Sequence, residues 1–167
     1  MIVLTSSLAA FIFASPRRHH TRAADEVCGD QRKRNRTEAK ILAAFIEAGY
    51  LVLLPFGDGH KYDLVVDDGR HIHRVQCKTG RVRKGCLMFN ACSFSGNAGT
   101  RRDYKGLADL FAVLNPATGK VYIVPVEEVG HTVASLRLDP PLSGQSKRIR
   151  WAKSYLLASC PNRDLRA

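Results

Sequence analysis

The fold turns on residues 71–80, His71-Ile72-His73-Arg74-Val75-Gln76-Cys77-Lys78-Thr79-Gly80. Residues 71–78 read as a strand. Its period of two puts Ile72, Arg74, Gln76 and Lys78 on one face and His71, His73, Val75 and Cys77 on the other. Just upstream, residues 62–67 read as a second strand, and Asp67-Asp68-Gly69-Arg70 between them contains the Asp-Gly pair that favours a hairpin. Asp63 lies on that first strand beside Leu64, Val65 and Val66, where core packing would not choose a carboxylate.

On the N-terminal side, residues 50–55 form an apolar run short enough for a buried strand, followed by the turn cluster 56–59. Before it, Asn35-Arg36-Thr37-Glu38 has the form of a capping box. Ile41, Leu42, Phe45 and Ile46 follow at helical spacing until Gly49, which predicts a helix of about three turns starting near Asn35. Glu38 falls on or beside the inward face of that helix. Downstream, residues 86–93 and 121–126 read as strands and 107–114 as a strand or a helix turn running into one, with a loop over 95–102 and a turn over 115–119. Residues 136–138 read as a short strand and 149–157 as a short helix. Strands at this density with one long helix predict an α/β or α+β sheet domain.

The 167 residues carry 26 Lys and Arg against 15 Asp and Glu, a formal charge of +11. At 45% hydrophobic and 25% charged the composition is that of a globular domain, which excludes a disordered or fibrous chain. The excess charge predicts an anionic partner, nucleic acid or a membrane surface. Residues 60–110 hold ten Lys and Arg against five Asp and Glu, about half of that excess. The five cysteines, Cys28, Cys77, Cys86, Cys92 and Cys160, include no C-x-x-C pair, which argues against a disulfide framework or a zinc ribbon and suits a cytoplasmic setting. His71, His73 and Cys77 share a strand face, but with no usual zinc spacing, and small buried thiols beside partly exposed histidines account for them. Residues 1–15 are apolar yet lack a basic leader and a cleavage site, and they fall short of the roughly 20 residues that span a bilayer, so a membrane association is not expected. Residues 1–34 are thus expected to be an apolar stretch and a basic flexible arm, 35–158 the folded domain, and 159–167 a tail.

Tyr62-Asp63, followed thirteen residues after the aspartate by Gln76-Cys77-Lys78, behind a helix carrying Glu38, resembles the PD-(D/E)XK nuclease superfamily. The string Val75-Gln76-Cys77-Lys78-Thr79-Gly80 is similar to that of its group I intron-encoded, homing-endonuclease-like branch. The resemblance runs from about residue 35 to 155, through Leu54-Pro55-Phe56-Gly57, Asp109-Leu110-Phe111-Ala112-Val113, Val121-Tyr122-Ile123-Val124-Pro125-Val126 and Lys147-Arg148-Ile149-Arg150-Trp151-Ala152. Two positions depart from the superfamily pattern. Tyr62 stands for its proline, and Gln76 for its second acid; an amide oxygen can coordinate a metal but brings no charge. The intron-encoded branch also uses Gln there.

The resemblance implies a restriction-endonuclease-like fold, a mixed β-sheet core flanked by helices. It implies a Mg²⁺-dependent DNA endonuclease, with Mn²⁺ as a substitute ion, acting on double-stranded or branched DNA as a homo-oligomer, dimer or tetramer. Asp63 would be the principal ligand, joined by the Gln76 side-chain oxygen, Glu38 and the Cys77 backbone carbonyl. Lys78 would orient the attacking water or neutralise developing charge. Arg81, Arg83, Lys84, Arg101 and Arg102 flank that site in sequence and would grip phosphates. Plainer readings exist for each residue: Glu38 as a capping glutamate, Asp63 and Lys78 as a cross-strand ion pair, Gln76 as an exposed side chain. Rival functions are a Holliday junction resolvase and a catalytically inactive nucleic-acid-binding module.

Overall fold

Helix α1 (Arg22–Glu47) opens a computed structural model that describes residues 22–57, 59–95, 100–140 and 149–157. The helix starts at Arg22, well before Asn35, so Asn35-Arg36-Thr37-Glu38 is mid-helix and caps nothing. Gln31, Arg32, Lys33 and Arg34 are good helix formers, and their turn is held by i,i+4 pairs on the surface. Arg34 meets Asp30 at 3.2 Å, and Gln31 donates to Asn35 at 2.8 Å. A helical turn that is polar all round shows no hydrophobic period, which is why the sequence pattern locates only the amphipathic half. The end of α1 is as expected. Gly49 adopts φ 89°, its N–H bonds to the Ile46 carbonyl and the Tyr50 N–H to that of Phe45, closing a Schellman motif in which the Phe45 and Tyr50 rings meet edge to face at 5.7 Å.

The central sheet has five strands in the order β1 (Leu51–Leu53), β2 (Leu64–Asp67), β3 (Ile72–Thr79), β8 (Leu110–Leu114), β9 (Val121–Pro125). All neighbours are antiparallel except β3 and β8, which run parallel. The mixed sheet of the expected restriction-endonuclease-like class is therefore present. Helix α1 covers one face, where Ile41 and Phe45 pack with Val66, Val75, Cys77 and Ala112. The other face is covered by strands rather than by a second helix. A three-stranded sheet, ordered β10 (Val133–Arg137), β5 (Cys86–Asn90), β4 (Arg81–Arg83), sets Leu87, Phe89 and Leu136 against Phe111, Val113 and Val124. Every residue of β8 is buried, because a parallel pair at the centre of a sheet meets a layer on each side.

Several elements differ from their sequence reading. The run 86–93 breaks at Ala91, whose N–H bonds to the Thr132 carbonyl, and continues as β6 (Cys92–Ser95). There it pairs with β7 (Thr100–Asp103), part of the segment expected to be loop. The strand expected at 136–138 starts at Val133 and pairs with β5 along its length. The expected C-terminal helix is a single 3-10 turn, Ala152–Tyr155, between isolated bridges from Trp151 to Arg137 and from Leu156 to Tyr122. The apolar stretch 1–15 lies outside the described residues, among which no helix is long and apolar enough to cross a membrane.

Gly80 joins the two sheets. A Cβ there would sit 2.4 Å from Leu87 Cδ1 and 3.1 Å from the Leu114 carbonyl, while its own N–H donates to that carbonyl at 2.8 Å. A side chain at this residue would have to displace Leu87 for the chain to leave β3 and turn directly into β4. The return turn of the β4–β5 hairpin is Lys84-Gly85, at φ 49° and 70°, the two positive values of a type I′ connection.

Candidate active site

Strand β3 outruns β2. Their last paired residues at this end are Leu64 and Val75, so residues 76–79 have a neighbour only on the β8 side. Asp63, one residue before β2, holds the place where pairing would continue. Its N–H donates to the Val75 carbonyl at 2.9 Å, and its Oδ2 accepts the Cys77 N–H at 2.7 Å. A side-chain carboxylate thus takes the amide that a longer β2 would have taken. The Gln76 side-chain amide also donates to Asp63 Oδ2 and lies 3.4 Å from the Cys77 carbonyl oxygen. Asp63, Gln76 and Cys77 are therefore brought together as the sequence reading placed them. The amide of Gln76 turns its NH₂, rather than its oxygen, to the carboxylate.

The alternation along β3 is also as read. His73, Val75 and Cys77 are buried, the last two against α1, while Arg74, Gln76 and Lys78 are half-buried on the opposite face. Lys78 lies against Tyr104, its Nζ donating to the phenol oxygen at 3.0 Å and standing 4.3 Å from the ring centroid and 5.9 Å from that of Phe111. Burial is the main cause that lowers its pKa to about 8, against an attraction from Asp63 that works the other way. Burial likewise pushes the Asp63 carboxyl up, opposed by the Cys77 N–H, Lys78, Arg34 and Gln76. Glu38 reaches the same place from the α1 layer rather than from the Gln76 and Lys78 face. Its carboxyl is raised by partial burial first and then by the negative charge of Asp63. At the preceding residue, Thr37 and Thr79 share a hydrogen bond of 2.6 Å between their hydroxyls, which ties this part of α1 to the end of β3.

Two residues belong to this cluster that the sequence reading placed elsewhere. Arg34 fell in the expected flexible arm, yet its charge acts on Glu38, Asp63 and Lys78. Its spacing of four from Glu38 is the signal, usable only once the helix is known to extend that far. Tyr104, a lone aromatic in the sequence and so expected to be packing, is 6% exposed and packs beneath Lys78.

The sequence profile of the PD-(D/E)XK endonucleases matches residues 29–158, most of the chain. The protein belongs to the PD-(D/E)XK endonuclease family. One similar solved structure is that of a bacterial homing endonuclease, I-Ssp6803I, at 20% identity and a TM-score of 0.57, with 73% of this chain and 84% of that chain covered. At that identity the likeness is one of fold. The curated proteins gave no match.

As a PD-(D/E)XK endonuclease, the chain departs from the named motif at Gln76, and the structure gives that residue a specific setting. Its amide nitrogen lies between two oxygens, Asp63 Oδ2 and the Cys77 carbonyl. The oxygens of Asp63, Glu38, Cys77 and Gln76 are of the type that could hold a hard divalent cation. Cys77 contributes no thiolate, since its sulfur is buried and its pKa is pushed well up, chiefly by that burial. The basic residues lie on the strands leading away. Arg81 and Arg83 are exposed on β4, an edge strand, with Lys84 in its turn. Arg101 and Arg102 are exposed on β7, which leads through Asp103 into Tyr104.

Proposed function

We propose that this family member is a divalent-metal-dependent DNA endonuclease that hydrolyses phosphodiester bonds, with Mg²⁺ as the working ion and Mn²⁺ as a substitute. The observation that carries the reading is the group at the overhanging end of β3, where Asp63, Gln76 and the Cys77 backbone converge beside a desolvated Lys78. A nitrogen donor between two oxygen acceptors marks a point of negative potential that a hard cation also favours. Asp63 would be the principal ligand, with Glu38, the Cys77 carbonyl and the Gln76 oxygen completing the protein's share once that amide turns about its last torsion. The ion supplies a nucleophilic water and charge stabilisation at the phosphoryl group.

The chain's own residues do the remaining work. Asp63 is oriented by the Cys77 N–H, so the carboxylate meets a cation without reorganising. Lys78, supported from below by the Tyr104 ring and hydroxyl, presents its ammonium to the developing negative charge. Arg34 adds positive charge from α1. Arg81, Arg83, Lys84, Arg101 and Arg102 would hold the DNA backbone on either side, since β4 and β7 both adjoin the residues of the site. Leu51, Leu53, Leu54, Phe56 and Ile72 are exposed on β1, just after it or on the strand two places in, and these apolar side chains support assembly into a dimer or tetramer.

The decisive experiment incubates supercoiled plasmid and four-way junctions with the protein, with and without Mg²⁺, beside Asp63→Ala and Lys78→Ala. Cleavage of linear or plasmid DNA that needs the metal and is lost in both variants is expected. Preference for the junction would make the protein a resolvase. Binding without cleavage of any substrate would make it an inactive binding module.

A further inference from the structure

At the end of the β2–β3 hairpin opposite Asp63, the turn gathers one carboxylate and two imidazoles. Asp68 is buried in the turn between the paired residues Asp67 and Ile72. Its Oδ1 accepts the backbone N–H of Arg70 at 2.9 Å and of His71 at 2.7 Å, while Oδ2 meets His73 Nε2 at 2.8 Å. His73 is 1% exposed, and its Nδ1 has no hydrogen-bond partner among the described residues. With Nε2 turned to Asp68, Nδ1 is a bare lone pair or an unsatisfied N–H among the described residues, whichever tautomer the ring adopts. His71 lies two residues earlier on the same side of the strand, exposed, its ring centroid 6.0 Å from that of His73. One donor atom from each of Asp68, His71 and His73 lies within 4.8 Å of the other two.

The geometry points to a second metal site, formed by Asp68 Oδ2, His71 and His73 Nε2, for a divalent cation of the zinc type. Two imidazoles and one carboxylate suit Zn²⁺ or Co²⁺, whereas Mg²⁺ selects oxygen ligands and water. Asp68 and His73 already stand closer together than the roughly 3.3 Å edge implied by tetrahedral ligation at about 2.0–2.1 Å. Exposed His71 supplies the third ligand by side-chain rotation, and water the fourth. The two backbone N–H groups on Oδ1 act as the outer support that fixes a ligating carboxylate. A buried Asp–His ion pair would by itself account for two of the three residues, but not for the third donor brought beside them. The sequence reading considered zinc only with the cysteines; the structure groups the histidines with Asp68 instead, and buries the His73 side chain expected to be partly exposed. An ion here would lock the hairpin turn, and hence the register that sets Asp63 against Gln76.

The test uses the metal-free full-length protein, its His71→Ala variant and its Asp63→Asn variant, each titrated with Zn²⁺ and with Co²⁺ as a visible-absorption probe, followed by thermal melts. His71 is exposed, so its truncation leaves the core intact. Wild type and Asp63→Asn should bind one equivalent of Zn²⁺ that excess Mg²⁺ does not displace, raising Tm and giving the Co²⁺ absorption of low coordination number. His71→Ala should bind that equivalent more than about tenfold more weakly and lose the Tm rise. Zinc taken elsewhere is common to wild type and His71→Ala and cancels in that comparison, while Asp63→Asn removes zinc held at the nuclease site. Unchanged Zn²⁺ affinity in His71→Ala, or no Tm response in wild type, would overturn the site. Neither result touches the nuclease reading, which cleavage assays judge separately.

Discussion

Lys78 and Tyr104 are joined twice: the ammonium donates to the phenol oxygen at 3.0 Å and stands 4.3 Å from the ring centroid. A desolvated cation has few stabilising partners, so each of these should be measurable. Tyr104→Phe keeps the ring and removes the acceptor. Cleavage should fall by about three- to tenfold, the order of one hydrogen bond of ~1 kcal/mol, while Tm changes little. Tyr104→Ala should also destabilise the fold by about 3–5 kcal/mol, because the ring packs on Phe111 in the core. Kinetics and denaturant melts on the two variants separate the roles.

The lowered pKa of Lys78 sets a pH limb. In the free protein the ammonium deprotonates at about 8, so kcat/KM should fall above that pH. The same limb in kcat should lie higher, since a bound phosphate favours the charged form. Lys78→Arg should abolish it, and Tyr104→Phe should move it downward. The stability effect has the opposite sense. The folded pKa lies below the ordinary 10.5, so the unfolded chain binds the extra proton between these values and this group's contribution to stability rises with pH across that window.

Arg34 should act on DNA more than on stability. Its side chain is about two-thirds exposed, and its pair with Asp30 is a surface one. Arg34→Ala should weaken DNA binding and reduce the slope of log K against log salt by about one, the signature of one lost phosphate contact. Fluorescence anisotropy at several salt concentrations reads both quantities. Arg81→Ala should do the same, and a variant that weakened binding without changing the slope would argue against a phosphate contact.

Gly80→Ala should destabilise the domain by about 1–3 kcal/mol, since its methyl group would meet the buried Leu87 side chain and the Leu114 carbonyl together. Urea denaturation measures the loss directly. Any fall in cleavage beyond the loss of folded protein would report displacement of Lys78, two residues upstream.

The hairpin part of the site was legible in the sequence because strand alternation and the Asp-Gly turn are local signals. They suffice to put Gln76 and Lys78 on one face and Asp63 on the neighbouring strand. Glu38 was legible from its place beside the inward face of the helix, while the plainer reading of it as a capping glutamate fails because α1 starts at Arg22. Arg34 was hidden because the N-terminal half of α1 has no apolar period. Tyr104 and the β6–β7 hairpin were hidden because their partners depend on pairings between distant segments. The covering of the second sheet face by β4, β5 and β10 was illegible for the same cause: it is set at Gly80, where a steric requirement leaves no periodic trace.

The early end of β2 makes the site adjustable by chain length alone. Inserting two paired residues between Asp63 and Leu64 would hand the Cys77 amide to a backbone carbonyl and move the carboxylate two residues along β3, away from Gln76, with no side chain of the cluster changed. Shifting the pairing by one residue would send that carboxylate to the opposite side of the sheet. Insertions and deletions near Asp63 should therefore silence such a domain more readily than many substitutions would, and the spacing from Asp63 to Gln76 carries as much of the chemistry as the residues themselves.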